Sequence, residues 1–347
     1  MDVSEPLLKV TDLSVSFPSR EGKVAAVERL SFEVFPDEVL GIVGESGSGK
    51  SVTSLSVLRV LPKHSRIDSG SIVFRDGDTE IDLAHFSADS PQVRAVRGRR
   101  ISMIFQEPMS AFSPLHTIGN QIGEAVALHN LPPGLPRSAR KAEVRRQTLD
   151  LLKSVGMPNP EQLIDSYPHE ISGGMRQRAL IAMGLACHPA ILIADEPTTA
   201  LDVTLQSQVI SLLTRLRNEQ GMSIIFVTHD LGVIAEIADR VLVMYLGREM
   251  ETAPVDDLFH NPAHPYTRAL MRSMPTITGP LGALIPIDGM VPSPTDLPSG
   301  CRFQTRCPER IAGLCDVHEP AQVEIGPRHR VACFVAGSPR PEVAVDD

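Results

Sequence analysis

From Leu7 to about Phe35 apolar and polar residues alternate, as in LSVSF and LSFEVF. Alternation of this kind predicts strands, with a turn at Glu21-Gly22. VLGIVG is a short continuous apolar run and predicts a buried strand. KSVTSLSVLRVL, which follows Gly49, predicts a helix. From about Pro108 to Pro168 the spacing becomes helical in IGNQIGEAVALH and KAEVRRQTLDLLKSV, with LPPGLP between them. That stretch predicts a helical insertion. ISGGMRQRALIAMGLA predicts a loop opening a helix, and ILIAD, SIIFVTH and VLVMYLG predict buried parallel strands. Val203–Asn218 and Leu231–Asp239 predict helices between those strands. Strand and helix in alternation imply a doubly wound parallel sheet. After Gly247 the pattern thins, and proline is dense from Pro275 to Pro298, which predicts a linker or an irregular appendage. No internal repeat is visible.

Composition narrows the function classes. A length of 347 residues allows two or three domains. The formal net charge of -9 argues against a nucleic-acid partner, which needs a basic stripe to neutralise phosphates. Arg94, Arg97, Arg99 and Arg100 cluster, and read as a solvated loop. No run approaches the ~18–20 apolar residues that span a bilayer. MDVSEPLLKV has neither a basic nor an apolar signal region, so a cytosolic setting is expected. Thiols stay reduced there, and clustered cysteines then suggest metal before disulfide.

Three stretches carry chemistry. GESGSGKS, Gly44 to Ser51, fits G-x-x-x-x-G-K-[ST] between a predicted strand and a predicted helix. In such a loop (Gly44, Glu45, Ser46, Gly47, Ser48, Gly49) backbone N–H groups cradle phosphates, helped by the helix N-terminus. Lys50 would reach the β- and γ-phosphates, and the Ser51 hydroxyl would bind Mg²⁺. ILIADE places Asp195 at the C-terminal end of a buried strand, where a carboxylate can hold Mg²⁺ through water. Glu196, one residue on, can polarise an attacking water. His229 ends another such strand and could contact a γ-phosphate. In ISGGMRQR, a serine and two glycines at a helix start form a second anion site, needed only if it serves a nucleotide held by another subunit.

Taken in order, the P-loop, Gln106 in FQEP, ISGGM, ADE, ALD at Ala200–Asp202 and THD resemble the motif series of ATP-binding cassette (ABC) ATPases. The resemblance covers roughly residues 5–260. It implies an α/β P-loop NTPase of ABC type. Such a fold has a mostly parallel sheet core, an antiparallel N-terminal β subdomain and a helical subdomain at about 108–180 within a nucleotide-binding domain 1–260. It implies ATP and Mg²⁺ as ligands, with Phe17 stacking on adenine, Val52 lining the P-loop, and Ser51, Gln106 and Asp195 around the Mg²⁺. Ser172, Gly173, Gly174 and Met175 would act on the partner's nucleotide, and Asp202 would cross the dimer interface. Glu196, His229 and Lys50 would carry hydrolysis. Two departures stand out: Ile171 and Met175 replace the usual Leu and Gln, and Val52 stands where Thr often follows the P-loop Ser.

SGGMRQR with GESGSGKS resembles the D-type ATPase subunit of oligopeptide and dipeptide importers, and NPAHPYTRALMRSMP resembles the C-terminal extension of peptide and nickel importer ATPases. That implies an extension over 261–347 and a peripheral ATPase on the cytoplasmic face of the membrane. Its partners would be a second ATPase subunit, two permease subunits and, indirectly, an extracytoplasmic substrate-binding protein. A nickel or other small-solute importer shares nearly all of these residues. A soluble cassette of repair or translation, or a non-hydrolysing one, fits less well, given one cassette, an acidic balance and intact Glu196 and His229.

Cys301, Cys307, Cys315 and Cys333 have five, seven and seventeen residues between them, which is not a zinc-ribbon spacing. Cys307 precedes Pro308, as at some iron–sulfur ligands. GCRF…RCP…C…VAC resembles a tail that binds a [4Fe–4S] cluster in some members, so a structural cluster is expected, with zinc or free thiols as the alternatives. Cys187, in an apolar helix, reads as a small core residue.

Overall fold

The computed structural model describes residues 5–19, 22–106, 111–131, 134–199, 201–273 and 286–338. Glu21, Ala200 and the start of the proline-dense stretch at Pro275 lie outside the described residues, as does the predicted start of the helical insertion at Pro108. In chain order the elements are β1 (Leu8–Ser19), β2 (Gly22–Val34), β3 (Val39–Val43), α1 (Lys50–Val57), β4 (Arg66–Asp76), β5 (Thr79–Asp82), α2 (Pro91–Val96), β6 (Ile101–Ile104), α3 (Ile118–His129), α4 (Arg137–Ser154), α5 (Pro160–Leu163) and α6 (Gly173–Gly184). There follow β7 (Ile191–Asp195), α7 (Val203–Gln220), β8 (Ser223–Val227), α8 (Leu231–Ile237), β9 (Arg240–Tyr245), β10 (Arg248–Pro254), α9 (Val255–His260), α10 (Pro265–Arg272), β11 (Val323–Gly326) and β12 (His329–Val331). The chain divides into two compact units, each taken in turn.

The first unit comprises Phe35–Glu38 and Phe86–Val227. Its strands β6, β7 and β8 run parallel, with Ile101 opposite Ile191 and Ile191 opposite Ser223. These mostly apolar strands, ISMI, ILIAD and SIIFV, are buried along their whole length, as strands covered on both faces require. Helices α3 and α4 match the two helical segments read from spacing. The Thr117 hydroxyl caps α3 by accepting from the Asn120 N–H at 3.2 Å. Helix α7 opens on Asp202 and closes on Gly221 in the left-handed region at φ 63°. The arginine stretch is only partly a loop: α2 runs through Arg94, capped by the Ser90 hydroxyl accepting from the Val93 N–H.

The second unit comprises Glu5–Val34, Val39–His85 and the chain from Thr228 onward. Strands β1, β2, β4 and β5 form an antiparallel sheet in the order β2-β1-β4-β5. Strand β3 pairs parallel with β9, as expected from VLGIVG and VLVMYLG. Helix α1 ends at Val57, short of the predicted segment, and Arg59 beyond it stands at φ 58°.

The thinning pattern after Gly247 conceals a buried strand. Strand β10 pairs antiparallel with β9 on one side and with β12 of the tail on the other. Its REMETA residues are all buried although four of them are polar. Hydrophobic periodicity cannot flag such a strand; its two buried carboxylates are hydrogen-bonded instead. The Glu251 carboxylate accepts from the backbone N–H groups of Ala263 at 2.7 Å and His264 at 2.9 Å, and lies 2.8 Å from His329 Nε2. The Glu249 carboxylate accepts from Thr252 at 2.7 Å and Arg330 at 3.1 Å, while burial pushes its pKa upward.

His264 caps α10 by accepting from the Tyr266 N–H through Nδ1 at 3.0 Å, which requires the neutral ring at that nitrogen. Full burial drives its pKa down to about 3. The unfolded chain therefore takes up a proton from about pH 6.5 downward that the folded chain refuses, and the stability from this residue is lost as pH falls from about 6.5 toward 3. His264→Asn, which keeps a capping acceptor without a titrating ring, is expected to show a smaller drop in thermal midpoint between pH 7.5 and pH 5 than the wild type. Equal drops would exclude the mechanism.

Candidate active site

Phe17, the P-loop and His229 belong to the second unit. Gln106, the Ser172–Met175 turn, Asp195, Glu196 and Asp202 belong to the first.

The P-loop leaves β3 at Gly44 and enters α1 at Lys50. Two glycines are sterically required. A Cβ at Gly44, whose φ is 152°, would stand 2.1 Å from the Met244 carbonyl oxygen. A Cβ at Gly49, whose φ is 100°, would stand 2.5 Å from the Ala26 carbonyl oxygen. Lys50 is buried at 6% exposure, and its ammonium donates to the carbonyls of Gly44 at 2.7 Å and Glu45 at 3.0 Å, which bends the side chain back over its own loop. Ser48 is buried, and Ser51 and Val52 are half-buried in the first turn of α1. Phe17 is half-buried on β1 opposite Val24. His229 is exposed, one residue before the Asp230 carboxylate that caps α8 by accepting from the Gly232 N–H at 2.8 Å.

In the other unit Asp195 ends β7 buried at 5% exposure, and the chain then turns sharply, with Glu196 at φ 48°. Left-handed backbone at a glutamate is uncommon and costs strain, and its N–H is held by the Val227 carbonyl at 2.8 Å. Glu196 Oε2 accepts from Gln106 Nε2 at 2.7 Å and from the Thr199 hydroxyl at 2.9 Å. Gln106 and Glu196 are ninety residues apart in sequence. Thr199 is a hydrogen-bond partner of Glu196 that sequence reading missed; the signal was a hydroxyl three residues after Glu196 in DEPTT.

The Ser172 hydroxyl caps α6 by accepting from the Met175 N–H at 3.3 Å, leaving Ser172 and Gly173 exposed at the helix start. Asp202, exposed, caps α7 by accepting from the Leu205 N–H at 2.9 Å. Both turns present helix N-termini to their surroundings, where anions are favoured.

The ABC transporter family model matches residues 27–199. The probable peptide ABC transporter ATP-binding protein y4tR of Sinorhizobium fredii is 48% identical over 329 residues, 94% of this chain and 94% of that protein. The chain belongs to the ABC transporter family. A second model, the C-terminal region of oligopeptide/dipeptide transporters, matches residues 250–315. The dipeptide transport ATP-binding protein DppD of Bacillus subtilis is 44% identical over 332 residues, covering 95% of each chain. The fold is that of the dimeric ATP-binding cassette MJ0796 in a post-hydrolysis state with ADP and Pi. The TM-score is 0.61 at 23% identity, over 72% of this chain and 98% of that one. Among the described residues no helix is long and apolar enough to cross a membrane.

The expected iron–sulfur cluster is overturned, and with it the zinc alternative. Among the described residues no group of three or more His, Cys, Asp or Glu side chains is arranged to hold a metal ion. Cys301, Cys307, Cys315 and Cys333 do line one small pocket, together with Phe303, Phe334 and Pro265. That lining is largely apolar, and burial pushes the Cys301 thiol up to about 12 and the Cys307 thiol up to about 11. Neutral thiols are poor metal ligands, and these behave as small apolar side chains that fill a satellite core. The chain as purified should contain less than a tenth of an equivalent of iron or zinc by elemental analysis. The buried Cys301, Cys315 and Cys333 should react with a colorimetric thiol reagent only in denaturant, and the half-buried Cys187 and Cys307 more readily. Stoichiometric metal would overturn the packing role.

Proposed function

We propose that the chain is the ATP-hydrolysing subunit of an importer that takes up peptides across the cytoplasmic membrane. It would sit at the cytoplasmic face, paired with a second ATPase subunit on two permeases served by an extracytoplasmic binding protein. The observation that carries hydrolysis is Glu196: a carboxylate at the end of a buried strand, oriented by Gln106 and Thr199. The peptide solute is supported by the C-terminal region match and by the names of the relatives.

In this reading the P-loop N–H groups and Lys50 bind the phosphates, and Phe17 stacks on the adenine. Ser51, Gln106 and Asp195 offer hard oxygen donors of the kind Mg²⁺ takes, and the buried Asp195 carboxylate suits a cation. Mg²⁺ bound with the nucleotide would neutralise phosphate charge. Glu196 orients the attacking water and accepts its proton; His229 donates to the γ-phosphate as charge builds. The exposed starts of α6 and α7, at Ser172–Met175 and Asp202, face the partner's nucleotide in a head-to-tail dimer, each subunit serving the other's nucleotide about a two-fold axis. Exposed Phe105 and Leu115, at 42% and 80%, offer apolar footing for a membrane subunit on either side of the Gln106 segment. Through its hydrogen bond Gln106 would then pass movement at that surface directly to Glu196.

Glu196→Gln, measured by phosphate release in the assembled complex with the partner's site disabled, should lower kcat by about 10²–10⁴-fold. ATP affinity should stay within about twofold, since Gln can still accept from Thr199. Wild-type turnover in that variant would sink the assignment.

A further inference from the structure

The P-loop is gripped by the C-terminal tail. Arg306 lies between Cys301 and Cys307 in sequence, and its side chain is 3% exposed. Its Nη1 donates to Glu45 Oε2 at 2.7 Å and its Nη2 to Glu45 Oε1 at 3.1 Å, a two-pronged pair with the second residue of the P-loop. The other donors are used as well. Nε donates to the Asp288 carbonyl at 3.0 Å, Nη2 also to the Ile287 carbonyl at 3.2 Å, and Nη1 also to the Tyr245 hydroxyl at 3.3 Å. The Glu45 carboxylate beside it raises the already high pKa of the guanidinium, which is therefore charged at any working pH. From α10, the Tyr266 hydroxyl accepts the backbone N–H of Glu45 at 2.9 Å. Tyr266 is fully buried, its ring 4.7 Å from Tyr245 and 5.2 Å from Phe303.

We propose that Arg306 and Tyr266 are positioning residues for nucleotide binding, acting through Glu45. A carboxylate inside a phosphate-binding loop opposes a polyanionic ligand. Arg306 cancels that charge and fixes the carboxylate's direction, and Tyr266 takes up the Glu45 N–H and so sets the peptide plane at the mouth of the loop. The C-terminal region thus completes the nucleotide site from within the same chain, and a cassette cut before it would carry a repelling P-loop. The inference rests on the reading that Gly44–Ser51 hold the phosphates.

The experiment measures binding of methylanthraniloyl-ATP and methylanthraniloyl-ADP to the purified full chain, with thermal midpoints confirming folding. Arg306→Gln, which leaves Glu45 uncompensated, should weaken ATP about tenfold and ADP less, because ATP carries more charge. Adding Glu45→Gln to that variant should bring ATP affinity back to within about threefold of the wild type, a rescue that a merely structural loss would not show. Should Arg306→Gln not fold, Arg306→Lys keeps the charge without the fork, and Tyr266→Phe removes only the acceptor; each should cost about threefold. A double variant no better than Arg306→Gln, or wild-type ATP affinity in both conservative variants, would overturn the proposal. Lys50→Ala in the same assay separates the two readings. If it binds ATP normally, the P-loop assignment fails. If it loses ATP while every Arg306 and Tyr266 variant binds normally, only the positioning role fails.

Discussion

Glu251 is a wholly buried carboxylate at the centre of a polar strand, and the placement of the tail depends on it. Burying a charge is costly unless it is paired and hydrogen-bonded. Here two backbone N–H groups from the segment before α10 and the imidazole of His329 on β12 converge on the two oxygens. Losing one partner of such an arrangement costs about 3–5 kcal/mol, because the remaining group stays buried. The same carboxylate therefore fixes both the start of α10, which carries Tyr266, and the strand that closes the tail against β10. Further out the seam is lined with ion pairs made by the buried Arg248 and the half-buried Arg302. Arg248 bridges Glu28 at 2.8 Å and Glu319 at 2.6 Å, and Arg302 also pairs with Glu28. These partly buried pairs, the buried carboxylate and the aromatic cluster of Tyr245, Tyr266 and Phe303 together decide where the tail sits.

That placement changes what the C-terminal region is. Seen from sequence it is an appendage after a complete cassette, stapled by its own chemistry. In the folded chain it shares a compact unit with the P-loop, contributes a strand beside β10, and supplies the counter-charge to a P-loop residue. The chemistry assigned to hydrolysis is organised differently. Glu196 depends on Gln106 and Thr199 of its own unit, and its strained backbone is held by β8. Nucleotide capture and water activation are thus assigned to parts of the fold stabilised by different contacts, which lets each respond to a different neighbour: the tail for one, the surface around Gln106 for the other.

How much of this could be read from the chain follows from the physics of each signal. Ile118–His129 was legible to the residue because its helical spacing and Thr117 cap agree. ILIAD and SIIFV were legible because strands buried on both faces must be continuously apolar. GESGSGKS was legible because its glycines are demanded by backbone approach, a local requirement. Strand β10 was not, since its burial is supported by hydrogen bonds to partners ten to eighty residues away. The Arg306–Glu45 pair spans 261 residues and has no local trace at all. Asp202 was read through its family role, and its capping of α7 lay in plain view as an aspartate preceding a helical pattern.

The cysteines show the opposite failure, a strong pattern whose chemistry depends on surroundings that spacing does not encode. Four thiols in a short, proline-rich tail invite a metal because such a tail lacks apolar periodicity and needs a staple. The staple is there, in another form. Phe303 is fully buried against two tyrosines, Glu251 collects donors from two segments, and Arg306 places every donor it has. With the tail already fixed by these contacts, an ion is not required for order. Cys301, Cys307 and Cys333 are left in a pocket whose low polarity disfavours the thiolate any ligand role would need. A motif names the atoms available; which reaction they support is set by the dielectric and the partners around them, and both are tertiary properties.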